Sequence, residues 1–291
     1  QGGVAVDGGA IVGMSGRDGK EGGEGGAVAG GDDARGRTVG GARNGGVPAA
    51  AIRDVCERAG VTKANSECEI GYCEAVIRDY LNAHAPRAMA VAEPLKLVST
   101  NYEGSEEVDF DVNQLDPEAG TSNVRFSGEL YIDGSDSSLD PPPKYHRLKL
   151  GGNVRLKNAY IIRADEAVKD ERGNVTEVRC TYFPESRSGN DKSGIKAKGV
   201  IQWVDAGTCV DAVLKQYDHL LKDADYAGQD FNERLNRDSE HIFAAKAEPY
   251  LAEVPEGSDF QLLRVGYYKT CREGGKLCLS EIVSLKDNFN K

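Results

Sequence analysis

A chain of 291 residues is long enough for roughly two or three compact units. Its formal net charge of -11 and pI near 5.0 argue against a protein whose main surface is a broad basic face for duplex DNA. A local basic groove on an acidic body stays compatible with that total, because salt screens charges beyond about 10 Å.

No apolar run approaches the ~18 residues of a membrane span, and the N-terminus has no signal-peptide core. The expectation is a soluble, cytoplasmic protein with no membrane contact. The seven cysteines are odd in number and include no CxxC pair, so they read as reduced, mostly buried thiols and not as a zinc site.

Residues 1–46 hold 18 of the 36 glycines, a composition that reads as a flexible segment. Helical grammar begins at Val47. Pro48 suits a first turn, Ile52, Val55, Cys56 and Ala59 recur at helical spacing, and Gly60 is a stop. A second helix is predicted over roughly 68–83. Its inner stripe is Ile70, Cys73, Val76, Ile77, Tyr80 and Leu81, and its outer face is Glu69, Glu74, Arg78 and Asp79. Pro86 ends it.

From Met89 the period changes to two. Alternating runs occur at 95–98, 108–112, 123–126, 129–132, 147–150, 154–162, 175–182, 198–204, 213–217, 260–268 and 277–283. Many short strands separated by turn signals predict barrels or sandwiches and not a parallel sheet. The charged stretch 222–241 reads as a loop with a short helix.

Catalytic patterns are missing from this grammar. The four histidines lie far apart, and there is no nucleophile elbow, dinucleotide fingerprint or phosphate loop. Neither a catalytic residue nor a metal ligand is assigned. What remains are cationic and amide side chains set in β segments: Arg87, Lys144 to Arg147, Arg155 to Asn158, Lys196, Lys198, Gln261 and Arg264. Splayed bases of single-stranded RNA are read by such groups, although composition alone leaves each of them readable as a solvated strand residue.

The wording of the chain carries more. Ala85-Pro-Arg-Ala-Met-Ala-Val91 with Pro94-Leu-Lys-Leu-Val98 resembles a stretch of glutaminyl-tRNA synthetases. Further matches follow in order: Gly60-Val-Thr-Lys63, Phe126-Ser-Gly-Glu-Leu-Tyr-Ile-Asp133, Val154-Arg-Leu-Lys-Asn-Ala-Tyr160, Gly173-Asn-Val-Thr-Glu177, Cys180-Thr-Tyr182 and Lys198-Gly-Val-Ile-Gln-Trp-Val204. Glu248-Pro249, Phe260-Gln261, Arg264 and Gly266-Tyr-Tyr268 complete the series across roughly 47–287.

This resemblance implies the C-terminal portion of a class I synthetase, mainly β with a small N-terminal helical subdomain. Residues 47–87 would be that subdomain, and 88–291 two anticodon-binding β-barrels of a type shared with a ribosomal protein. The partner it implies is glutamine tRNA, with glutamine and ATP (and Mg) serving the parent enzyme and no cofactor serving this chain alone. Partners in a multi-synthetase complex are a further possibility. Carried over by position, Arg87, Gln261 and Arg264 match the readers of the anticodon's central U, and these three are expected to converge on one base. Arg147 matches the residue holding the final G. Lys157 replaces an Arg at the first base, and His146 replaces a Lys. Asn82 matches a position near the anticodon stem.

Residues 1–46 resemble the end of the catalytic region. Met14-Ser15-Gly16-Arg17 follows the family's ATP loop, with Gly16 in place of its lysine, and Asp32, Asp33 and Arg35 follow a later run. The segment reads as a glycine-rich remnant in a chain that lacks the nucleotide-binding domain, or as an extension aligned by chance. The remnant reading implies that the fragment binds RNA without forming an adenylate. Two rival readings stay open: a eukaryote-type glutamyl-tRNA synthetase, and a non-catalytic RNA-binding or scaffold module built from the same barrels.

Overall fold

The computed structural model describes residues 33, 35, 39–59, 70–220 and 235–285. Met14, Ser15 and Arg17, the Gly60 stop, Glu69 and residues 222–234 lie outside the described residues. Three helices come first: α1 (Val39–Gly45), α2 (Ala49–Ala59) and α3 (Ile70–His84).

Helix α1 falls inside the stretch whose composition reads as a flexible segment. It closes with Val47 N–H donating to the Ala42 carbonyl (2.9 Å) and Gly46 N–H to that of Arg43 (3.0 Å). Gly46 takes the left-handed conformation this stop demands, at φ 95°. In α2, Pro48 heads the first turn as expected, its carbonyl accepting from Ile52 N–H (3.0 Å). Cys56 and Ala59 are exposed, contrary to the predicted stripe, because neighbours cover only the first turns around Ala51.

Helix α3 buries Cys73, Val76 and Leu81 on the predicted stripe. Glu74 and Arg78 do not form an outer face, however. Arg78 Nε donates to the Ser284 carbonyl (2.9 Å), Arg78 Nη2 donates to Glu74 (2.8 Å), and Glu74 meets His219 (3.3 Å). The helix is docked on the β body through Leu81, Ala85, Tyr267 and Val283, so a face patterned as polar is an interface.

The rest is β. The strands are β1 (Arg87–Ala88), β2 (Ala90–Ala92), β3 (Leu95–Ser99), β4 (Ser105–Asp111), β5 (Thr121–Ser127), β6 (Glu129–Ile132), β7 (Asn153–Leu156) and β8 (Ile161–Lys169). After them come β9 (Val175–Tyr182), β10 (Val200–Ile201), β11 (Val204–Asp205), β12 (Val210–Tyr217), β13 (Glu240–Ala247), β14 (Asp259–Leu262), β15 (Gly266–Glu273) and β16 (Lys276–Ser284). One helical turn, α4 (Tyr250–Glu253), precedes β14.

These strands form two seven-stranded sheets and the separate β4–β5 ribbon. The first sheet runs β10-β7-β8-β9-β3-β6-β11 and the second runs β1-β14-β15-β16-β12-β13-β2. In both, the two edge strands are halves of one short stretch. Residues 200–205 pair with β7 at one end and β6 at the other, and residues 87–92 pair with β14 and then β13. One stretch therefore joins opposite edges and curls each sheet back on itself, which hides the unpaired backbone that open edges expose.

The seams are tied internally. Met89 sits between the two edges of the second sheet, with its N–H donating to Glu248 Oε1 (2.8 Å) and its carbonyl accepting from Glu248 N–H (3.1 Å). At the other seam Trp203 is fully buried, packing edge-on against Phe126 with ring centroids 5.1 Å apart. Each barrel keeps its own core, the first around Leu97, Leu130 and Trp203 and the second around Phe260, Tyr268 and Leu279.

Several sequence expectations change here. The run 154–162 is a hairpin, turned at Lys157-Asn158 with Asn158 at φ 57°, and the run 260–268 turns at Arg264, φ 65°. Asn tolerates the left-handed region, whereas Arg rarely adopts it. Residues 147–150 make only isolated bridges, from Leu148 to Ser137 and from Leu150 to Ala164. The last two residues of the stretch expected to be a loop, 240 and 241, open the full strand β13 (Glu240–Ala247).

Candidate nucleic-acid interface

Arg87 begins β1, two residues after α3 hands over to the second sheet. Its backbone N–H is fixed by the Val112 carbonyl (2.8 Å), and register places it directly opposite Gln261 on β14. The pairing brings the side chains together. Arg87 Nε donates to Gln261 Oε1 (2.7 Å), and Nη2 donates to Asn82 Oδ1 (3.4 Å).

The α3 terminus that carries Asn82 is itself capped. The Asn113 amide reaches the carbonyls of Asn82, Ala83 and Ala85 at 3.4, 3.1 and 3.3 Å, groups a helix end leaves without partners. The result is one Arg held from three elements.

One donor of that Arg is left over. Arg87 Nη1 is buried and has no hydrogen-bond partner among the described residues, which is costly for a guanidinium N–H unless something else supplies an acceptor. Beside it opens a pocket lined by Arg87, Ala88, Phe110, Asp111, Gln114, Lys157, Asn158, Glu248 and Leu263. Lys157 comes from the β7–β8 turn of the other barrel, whose shape is set by Trp203 Nε1 donating to the Lys157 carbonyl (2.9 Å) and Asn158 Nδ2 donating to the Asp109 carbonyl (3.0 Å). The Lys157 ammonium makes no hydrogen bond to any described residue. The pocket thus presents two cations, two amides and two carboxyls between the barrels. Burial pushes the Glu248 carboxyl up to about 7, against the opposing pull of the Met89 N–H.

Arg264 makes its ion pair with an acid of the first barrel. The tight β14–β15 turn directs its guanidinium to Asp136, with Nη1 to Oδ2 at 3.1 Å and Nη2 to Oδ1 at 3.4 Å. Asp136 also takes Arg147 Nε at 3.2 Å, while Arg147 Nη1 donates to the Ser135 carbonyl (3.1 Å) and hydroxyl (3.2 Å). Burial raises the Asp136 pKa, and the two arginines pull it back.

Of the three residues expected on one base, Arg87 and Gln261 meet directly, joined by Asn82. Arg264 shares the Asp136 carboxylate with Arg147. His146 is exposed and makes no side-chain hydrogen bond within the described residues; its carbonyl lies so close to Gly199 that a larger residue there would collide with it. Sequence reading missed Asp136, Asn113 and Gln114. Only the Asp133-Gly-Ser-Asp136 turn carries a signal for the first, as a short acidic turn ahead of a basic run.

Among the described residues no cluster of three or more His, Cys, Asp or Glu could hold a metal, and no helix is long and apolar enough to cross a membrane. The six described cysteines are free thiols, three of them buried and Cys56 exposed.

Two family models match this chain, both described as the anti-codon binding domain of class I tRNA synthetases (E and Q). One covers residues 85–183 and the other residues 200–270. Among curated proteins, the glutamine–tRNA ligase of Clostridium perfringens is 42% identical over 283 residues, covering 95% of this chain and 51% of that protein. The ligase of Rhodopirellula baltica is 42% identical over 272 residues (91% of this chain, 45% of that protein). That of Escherichia coli O157:H7 is 42% identical over 243 residues (83% and 44%). The chain spans about half the length of the curated relatives it matches.

Proposed function

We propose that this chain, which belongs to the class I tRNA synthetase (E and Q) family through its anti-codon binding domains, is the portion of a glutamine–tRNA ligase that grips the anticodon loop of glutamine tRNA. The observation that carries the residue-level reading is the meeting of Arg87 with Gln261, 174 positions apart, at 2.7 Å. Beside that contact one buried guanidinium N–H has no acceptor among the described residues. A uracil presents carbonyl acceptors to such a donor, and single-stranded loops splay their bases out for such contacts.

In this reading Arg87 and Gln261 act on the central base, with Asn82 bracing Arg87 from the helix end. Arg264 approaches the same base from the next turn. Arg147 and the exposed His146 serve the final base and its phosphate. Lys157 faces the first base as a point donor, which lacks the bidentate fork of an Arg. Residues 47–87 form the helical subdomain and 88–291 the two barrels. The alignment covering 95% of the chain necessarily runs into residues 1–46, which favours the remnant reading of that segment.

ATP, Mg and glutamine belong to the whole ligase, which would couple them to tRNA by adenylate formation and acyl transfer in the cytoplasm. Met14, Ser15 and Arg17 lie outside the described residues, and Gly16 stands where the family's loop has a lysine, so no ATP-directed step is assigned to these residues.

Binding of anticodon stem-loop RNAs to the 291-residue chain tests the reading. Arg87→Ala should weaken binding by about 1–3 kcal/mol and relax discrimination at the central base. An equal loss for every loop sequence would reduce Arg87 to a phosphate contact. Replacing the final G by C, which turns a glutamine anticodon into a glutamate one, separates the glutaminyl from the glutamyl reading.

A further inference from the structure

We propose that Asp136 is a positioning residue that couples recognition of the central and final anticodon bases by holding Arg264 and Arg147 on one buried carboxylate. The inference rests on the reading above, in which these two arginines face neighbouring bases, and adds a residue that touches neither.

The geometry starts with the Asp136 backbone. It closes the single 3₁₀ turn Gly134–Asp136 that follows β6, a turn capped by Asp133 accepting from Ser135 N–H (2.9 Å). The Asp136 carbonyl accepts from Leu148 N–H (2.9 Å), and Ser138 N–H donates to the Leu148 carbonyl (3.0 Å). The segment carrying Arg147 is therefore sewn to the segment carrying Asp136, and both belong to the first barrel. Arg264 arrives from the second.

Asp136 is only 3% exposed, so its charge is shielded from water and depends on the two guanidiniums for compensation. The dependence runs both ways. Two guanidiniums at one spot repel each other unless an anion sits between them. Arg264 also holds a left-handed backbone, φ 65°, which a non-glycine residue keeps only when its surroundings over-determine it. The contacts to Asp136 at 3.1 and 3.4 Å supply that constraint from outside the turn.

Donors are left facing outward. Arg147 Nη2 and Arg264 Nε have no partner among the described residues, and the two side chains are 44% and 35% exposed. The carboxylate takes the inner donors of both forks and leaves one donor on each for RNA. Any shift of one fork is transmitted through a rigid shared partner to the other.

Fluorescence titration of anticodon stem-loops onto the full chain tests this, using the cognate loop, a loop changed at the central base and a loop changed at the final base. Arg264→Ala should reduce discrimination at the final base as well as the central one, and Arg147→Ala should do the converse, each cross-effect being about threefold or more. Asp136→Asn keeps the shape and removes the charge, so it should lower both discriminations together by about tenfold with both arginines still present. Effects confined to each arginine's own base, additive in the Arg147→Ala/Arg264→Ala double variant, would overturn the coupling while leaving the anticodon reading intact. Single arginine variants that change discrimination at neither base would overturn the reading itself. If Asp136→Asn melts below the assay temperature, the arginine cycle decides alone, since it leaves the buried carboxyl in place.

Discussion

Glu248 offers a sharp test of how the second barrel is closed. Its side chain is 6% exposed, and its carboxylate oxygen accepts the Met89 N–H at the point where one stretch leaves β14 for β13. Burial raises its pKa from 4.5 to about 7. Between those values the folded chain keeps a proton that the unfolded chain has released, so stability falls as pH rises through the window. The shift is worth roughly 3 kcal/mol at about 1.36 kcal/mol per unit, fully felt only above pH 7. Glu281, also raised to about 7 by burial, adds a second contribution of the same sign. Glu248→Gln keeps an acceptor for the Met89 N–H and removes the charge. Urea titrations at pH 5, 6, 7 and 8.5 should show the wild type losing stability with pH, and the variant losing about half as much because Glu281 remains. The variant should be the more stable protein at pH 8.5 and nearly unchanged at pH 5. Glu248→Leu, which strands the N–H, should be less stable than Glu248→Gln at every pH by about 1–3 kcal/mol. Identical pH slopes for the wild type and Glu248→Gln would refute the buried-proton account.

Two further outcomes follow from the seam of the first barrel. Trp203→Phe removes the indole donor to the Lys157 carbonyl and leaves a void beside Phe126. It should cost about 1–3 kcal/mol by urea titration and loosen binding at the first base more than at the other two. Lys157→Arg restores a planar fork at the pocket mouth and should sharpen first-base discrimination several-fold in the stem-loop assay, with stability unchanged.

The parts of the fold that depend on local spacing were readable from the sequence. Helix α3 announces itself through Cys73, Val76, Ile77 and Leu81, and the strands around Leu97, Leu130 and Val178 alternate as a half-buried face must. What escaped was whatever neighbouring residues do not encode. The second half of strand β13 is Ala244, Ala245, Lys246 and Ala247, residues with weak strand preference that are ordered by pairing with β12 and β2. The two hairpin turns sit inside continuous β-like runs and carry no glycine at the bend. The closures through 87–92 and 200–205 cannot be seen in a linear string, since a strand's edge position is a property of the sheet. The meeting of Arg87 with Gln261 followed from resemblance and not from spacing.

Arg264 is the most informative of the candidates. Among the described residues, the four non-glycine positions with positive φ are Glu93, Lys144, Asn158 and Arg264. Arg264 is itself a candidate, Asn158 adjoins Lys157 in the pocket lining, and Lys144 lies two residues before His146. A left-handed Arg or Lys costs about 1 kcal/mol or more and survives where packing or function over-determines it. Lys144 and Arg264 carry that cost beside the proposed RNA-facing side chains, where a glycine would relieve it. At Arg264 the strain is explained by what the side chain must reach, the Asp136 carboxylate. Of the three groups expected to share one base, Arg87 and Gln261 meet directly, and Arg264 is held on the carboxylate it shares with Arg147.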